Sequence, residues 1–193
     1  MARKQELRPI APLRPIAVGA GITEFWYLKH IKPALGLKVD IFPRLFGRES
    51  MPDINKHIET GLANGRKVIC LFDEDVSQWN DIEKQRLREL HNRYDSNPQV
   101  VIASSMPSIE YWLLLHYKDT NKYYGTSAKV IKDLIRYIPG FDKREQFLSN
   151  PAWVTNLLKD NKLSIAEARA KKFGHTGASY TDAWKAIEET LPE

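Results

Sequence analysis

The chain has 193 residues, 42% hydrophobic and 27% charged, with a formal net charge of +5, the composition of a globular protein large enough for one well-packed core. No apolar run approaches the ~20 residues of a membrane-spanning helix, so no membrane partner is expected. One cysteine, Cys70, inside "KVICLF", excludes a disulfide framework and a cysteine metal site and favours a reducing, cytoplasmic setting.

At the N-terminus, "MARKQELRPIAPLRP" is basic but lacks a long apolar stretch with a small-residue cleavage pattern, so no export signal is expected. Lys and Arg are spread along the chain; the positive balance suits a nucleic-acid partner and many other proteins as well. The strand candidates are "PIAVG" (15–19), "LKVDIFP" (37–43), "KVICLF" (67–72) and "QVVIAS" (99–104). Between them, "TEFWYLKHIKPAL", "MPDINKHIETGLANG" and "WNDIEKQRLRELHNRYDS" carry apolar residues at helical spacing, the last with Ile82, Leu87, Leu90 and Tyr94 on one stripe.

Alternation of strand and helix predicts right-handed crossovers and a mainly parallel α/β sheet flanked by helices. In such sheets the functional site lies beyond the carboxyl ends of the strands, which directs attention to the loops after Val18, Phe72 and Ser104. After Tyr117 the pattern predicts helices only: "SAKVIKDLIRYI", "KREQFL", "PAWVTNLLKD", "SIAEARAKKF" and "SYTDAWKAIEETL". Ser164 with Glu167 reads as a capping box, and Asn150 before Pro151 as another helix start. The expected organisation is an α/β core over 1–117 and a helical extension over 118–193 packed on it, with a boundary near 118–126.

Three loops hold residues that could do chemistry. In "LFDEDV", Asp73 and Asp75 are two apart at a strand end, so in an extended chain both carboxylates point one way and Glu74 the other. Such a pair suits Mg2+ or Mn2+ bound through oxygen and water, and equally suits a solvated acidic turn. In "IASSMPSIEYWLLLHY", Pro107 and Ser108 start a helix and Glu110 falls in its first turn. That glutamate either complements the helix dipole, worth ~0.3–1 kcal/mol, or adds a third carboxylate to the cleft. In "GAGITEFWYL" the glycines allow a tight turn, Thr23 is a suitable N-cap, and Glu24 sits at the helix start with the same dipole alternative.

The remaining candidates read as structural. His116 follows "WLLL" as a partly buried core histidine, and His30, His57, His91 and His175 have no metal-ligand spacing. Trp112, Trp153 and Trp184 read as core, and "RAKKFGH" (169–175) as a solvated helix end. Phosphate-binding Gly-rich loops and a nucleophile elbow are absent from the sequence.

Together, "GAGITEFWYLKH", "CLFDEDVS" and "SSMPSIEYWLLLHY" resemble the RloB-like family, bacterial proteins similar to compact relatives of the Toprim nuclease group. The last stretch resembles the family's S-N-P-x-F-E-x-W-L-L-L-H-F signature, with Met106 and Ile109 departing from it, and "GASYTDAWKAIEE" faintly resembles its closing segment. The resemblance implies a Toprim-like sheet and a metal-dependent nuclease acting on RNA or DNA in anti-phage defence, with a companion defence protein as a possible partner. It implies Asp73, Asp75 and Glu110 as metal ligands for Mg2+ or Mn2+, and Glu24 and Glu110 as catalytic carboxylates. Thr23-Glu24 match the T-E of the family's E-G-x-T-E motif, but Ala20 stands where its first glutamate is expected. An alanine methyl can be neither ligand nor base. Natural degeneracy and deliberate silencing by Glu-to-Ala replacement both account for it. A non-catalytic module that binds nucleic acid, a nucleotide or a partner through the same cleft is the rival reading, and nucleotidyl transfer a third.

Overall fold

The apolar runs become a sheet because each alternates its side chains between two helical layers. Residues 13–42, 50–75, 80–176 and 179–192 are described in the computed structural model. The basic N-terminal segment up to residue 12, Pro43, the end of the second acidic loop (76–79) and Gly177-Ala178 lie outside the described residues.

In chain order the first part consists of β1 (Ile16–Gly19), α1 (Ile22–Leu35), β2 (Asp40–Ile41), α2 (Met51–Ala63), β3 (Val68–Asp73), α3 (Asp81–Tyr94), β4 (Val100–Met106) and α4 (Ile109–Leu115). It continues with α5 (Ser127–Leu134), α6 (Glu145–Leu148), α7 (Ala152–Leu158), α8 (Lys162–Phe173), β5 (Tyr180–Thr181) and α9 (Ala183–Glu188). The sheet order is β2-β1-β3-β4-β5, parallel throughout except for β5, which runs antiparallel to β4. The expected mainly parallel α/β sheet flanked by helices is therefore what forms, an architecture consistent with a Toprim-like fold.

The strands sort their residues by parity. Val68, Cys70 and Phe72 of β3 join Val18 and Ile102 against Met51, Ile54 and Ile58 of α2 and Leu87, Leu90 and Tyr94 of α3. Ile69 and Leu71 face the other way, with Ala17 and Ala103, into a larger cluster built on α1, α4 and the C-terminal helices. At its centre Trp112 and Tyr27 are fully buried, and the indole N–H donates to the tyrosine hydroxyl at 2.7 Å. Both halves of the chain contribute to this cluster: Val130, Leu148, Trp153 and Ala166 pack with Tyr27 and Leu113.

Four local expectations are corrected. The chain after Tyr117 is not helices only, because Tyr180 and Thr181 form β5 and pair with Met106 and Ser105. Ile82 is 62% exposed rather than part of the buried stripe, since it lies in the first turn of α3, beyond the apolar contact with β4. The helix holding Ser164 starts earlier, at Lys162 after Asn161, so Ser164 and Glu167 form no capping box. Thr23 lies inside α1, whose N-cap is Gly21, and its hydroxyl is used elsewhere. Trp112 and Trp153 are buried in the core as expected, while Trp184 is partly buried with the Lys171 ammonium 4.2 Å from its ring centre.

Candidate functional site

β1 hands over to α1 through a tight loop that lies close against the first turn of the helix. A Cβ on Gly19 would come within 2.9 Å of the Phe25 nitrogen, and one on Gly21 within 2.4 Å of a Glu24 carboxylate oxygen. The Ala20 N–H donates to Leu71 O at 2.9 Å, holding the loop against β3. Because glycine permits this approach, the first turn of α1 sits directly over the strand end and buries Glu24 to 3% exposure.

Asp73 ends β3, one step past Phe72 in the parity of the sheet, so its carboxylate faces the α1–α4 side. There Oδ1 accepts the Ile109 N–H at the start of α4 at 2.7 Å. Glu110, one residue later, is fully buried. The Thr23 hydroxyl donates to its Oε1 at 3.0 Å and the Ser127 hydroxyl to its Oε2 at 3.1 Å. Lys143 Nζ lies 3.1 Å from the same Oε2 and donates to Ser127 Oγ at 3.2 Å. Three carboxyl groups from β3, α1 and α4 thus meet one ammonium from the segment before α6.

One ammonium does not balance three carboxylates. Burial raises the pKa of Glu24, with Glu110 adding to the rise and Lys143 opposing it. Asp73 is raised well above the carboxylate range, first by burial and then by the charges of Glu24 and Glu110. Burial works against a charged Lys143, but Glu110, Asp73 and Glu24 outweigh it and raise its pKa. Burial and mutual repulsion thus both work against a full set of negative charges here, and an added cation would ease them.

Glu24, Asp73 and Glu110 are brought together. The Ala20 methyl packs against the α2–α3 cluster that contains Val18 and Phe72. Asp75 is buried at 7% exposure two residues beyond Asp73. Between them Glu74 turns to the opposite face, where Oε1 pairs with His91 Nε2 at 3.0 Å and Oε2 accepts the Tyr180 hydroxyl at 2.5 Å. Among the described residues, no three His, Cys, Asp or Glu side chains are spaced to hold a metal ion as they stand; the cation beside the carboxyls is Lys143.

The histidines without ligand spacing have structural partners. His116 donates from Nδ1 to Trp112 O at 3.0 Å, and burial pushes its pKa down to about 4, so it is neutral. His30 meets Leu148 O and His175 pairs with Asp182. In the basic segment, Arg169 holds Leu115 O, Lys171 pairs with Glu167 and Glu188, and Lys172 with Asp119.

Sequence reasoning missed Lys143 and Ser127, because only the packing of α5 on α4 and of α6 on α1 brings them to Glu110. Ser127 had a weak cue, a helix start after Gly125-Thr126; Lys143 had none. No curated protein and no solved structure matches the chain. A family model described as RloB-like protein matches residues 16–190, which spans the sheet, all three carboxyls and Lys143, and the chain belongs to the RloB-like protein family.

Proposed function

We propose that this protein is a metal-dependent nuclease of bacterial anti-phage defence, hydrolysing phosphodiesters in RNA or DNA, and that Ala20 silences it. The observation that carries the reading is the cluster of Glu24, Asp73 and Glu110 beyond the carboxyl end of β3. Burial first, and then the repulsion among these carboxyls, raises the pKa of Glu24 and Asp73 despite the ammonium of Lys143.

The donor set suits Mg2+ or Mn2+: it is all oxygen, and it gains by acquiring positive charge. Asp73 and Glu110 would hold the ion, with Asp75 next in the chain. Such an ion, when bound, stabilises charge on a phosphodiester and lowers the pKa of water. The protein's own part is positioning. The Ile109 N–H fixes Asp73, and Thr23 and Ser127 fix the two oxygens of Glu110. Glu24, whose pKa burial raises, is placed beside them as a proton-exchanging group. Lys143 is the ammonium that would meet a phosphate oxygen once an ion takes over its balancing role at Glu110.

Restoring the carboxylate tests this directly. Ala20→Glu protein with Mg2+ or Mn2+ should cleave RNA or DNA, and Asp73→Asn in that background should abolish cleavage. No cleavage over a broad panel of both nucleic acids would overturn the reading. A second reading, binding without cleavage alongside a companion defence protein, rests on Ala20 itself, whose methyl packs against the α2–α3 cluster. Under it, Asp73→Ala leaves the anti-phage phenotype unchanged.

A further inference from the structure

A second feature lies at the far ends of α4, which carries Glu110, and of α5, which carries Ser127. Glu110 is in the first turn of α4, and Tyr117 follows the end of that helix, about 10 Å along its axis. Ser127 opens α5, and Tyr137 lies just beyond its last turn. The two tyrosine rings stack there, 5.4 Å between centres and 12° from parallel. From the other side the chain passes from Lys143 to Gln146 in three residues, a span of at most about 10 Å. These ends line a half-open cavity of about 300 Å³ walled by Tyr117, Tyr137, Phe147 and Trp153 and rimmed by Gln146 and Asn156.

The chemistry of this cavity is that of a flat, hydrogen-bonding ligand. Trp153 is buried and its indole N–H is satisfied by Leu148 O, so it offers a rigid wall. Tyr137 is 41% exposed, which leaves ring surface for stacking. The side-chain amides of Gln146 and Asn156 have no hydrogen-bond partner among the described residues, so donors and acceptors remain for a ligand's edge. Lys162 Nζ, paired with Asp160 at 2.9 Å, lies 5.7 Å from the centre of the Tyr117 ring and braces the back of the stack.

We infer that this cavity holds one unpaired nucleobase of a single-stranded nucleic acid whose backbone continues to the Glu24, Asp73 and Glu110 cluster. The inference rests on the nuclease reading and adds the substrate form: a base inside a duplex cannot enter a walled cavity, whereas a base in a single strand can stack on aromatic rings and be read along its edge. The separation of about 10 Å suits a base a few nucleotides or fewer from the phosphate at the carboxyls.

Fluorescence anisotropy with labelled short single strands of RNA and of DNA, with all bases or with abasic positions, tests this on the full chain. Tyr137→Ala, and separately Gln146→Ala with Asn156→Ala, should weaken binding about tenfold; all three residues are exposed and tolerate substitution. Abasic strands should bind the unsubstituted chain as weakly as complete strands bind Tyr137→Ala. Tyr123→Ala, an exposed tyrosine outside the cavity, should bind normally. A preference for one strand type would identify the substrate. Equal binding by the unsubstituted and Tyr137→Ala chains, or equal losses in Tyr123→Ala, would overturn the base site and leave the nuclease reading standing. No binding of either strand type, without cleavage by the Ala20→Glu protein, would overturn both.

Discussion

Asp73 and Glu74 are consecutive at the end of β3, and sheet parity sends them into opposite surroundings. Asp73 enters the α1–α4 side, where two other carboxyls face it across one ammonium, and its pKa rises well above the carboxylate range. Glu74 enters the α2–α3 side. Burial works against its charge there too, but hydrogen bonds from His91, Ser104 and Tyr180 more than offset that and lower its pKa. Glu74 in turn pushes His91 up to about 9, with Asp95 assisting. Buried carboxylates are thus no guide to function by themselves. One of these is closed by partners and ties β5 to α3 and β3; the other is kept hard to ionise by burial and by two neighbouring carboxyls.

Substitutions on the two sides should move stability in opposite directions. Glu74→Ala takes the buried partner from the Tyr180 hydroxyl and from His91, which keeps only the exposed Asp95, and should cost about 3 kcal/mol in urea unfolding. The same clamp sets a pH dependence. His91 has a folded pKa above its ordinary value, so its contribution is complete below pH ~6.5 and is lost as pH rises through about 9. The loss should be about 2 kcal/mol, discounted for the partial exposure of the ring, and should shrink in Glu74→Ala, where Asp95 alone still favours the charged ring. Tyr180→Phe removes one hydrogen bond to a charged group and should cost about 1.5 kcal/mol. Asp73→Asn should do the reverse, stabilising the protein by about 1 kcal/mol at pH 7, or about 3 °C in Tm. Its sign follows from the raised folded pKa: the native state holds the proton more tightly, so stability declines as pH rises through that pKa, and an amide removes the decline.

The sequence was most legible where one element is long and one face is apolar. β1, β3 and β4 and helices α1 to α3 were readable because their periodicities of two and 3.6 differ over enough residues to be told apart. β5 was not: two residues carry no period, and "SYTD" has no apolar face, so pairing with Ser105 and Met106 decides its conformation. Ile82 misled because periodicity marks a face and says nothing of how far the neighbouring sheet extends. Glu24, Asp73 and Glu110 were found at strand ends and helix starts. Asp73 and Glu74 also separated as the parity argument requires. Lys143, 33 residues after Glu110, was invisible because long-range packing alone makes it a neighbour. The shift in Asp73 was equally hidden, since it depends on burial and on charges brought in by three elements.

The central claim is that the Asp73 side, unlike the Glu74 side, is built to take a divalent cation. Its most direct test is calorimetric titration of Mn2+ into the Ala20→Glu chain, alongside the same chain with Asp73→Asn and with Glu74→Gln. The account predicts saturable binding that Asp73→Asn weakens by about tenfold or more and Glu74→Gln leaves unchanged. Absence of binding in the Ala20→Glu chain, or equal losses in the two variants, would contradict it.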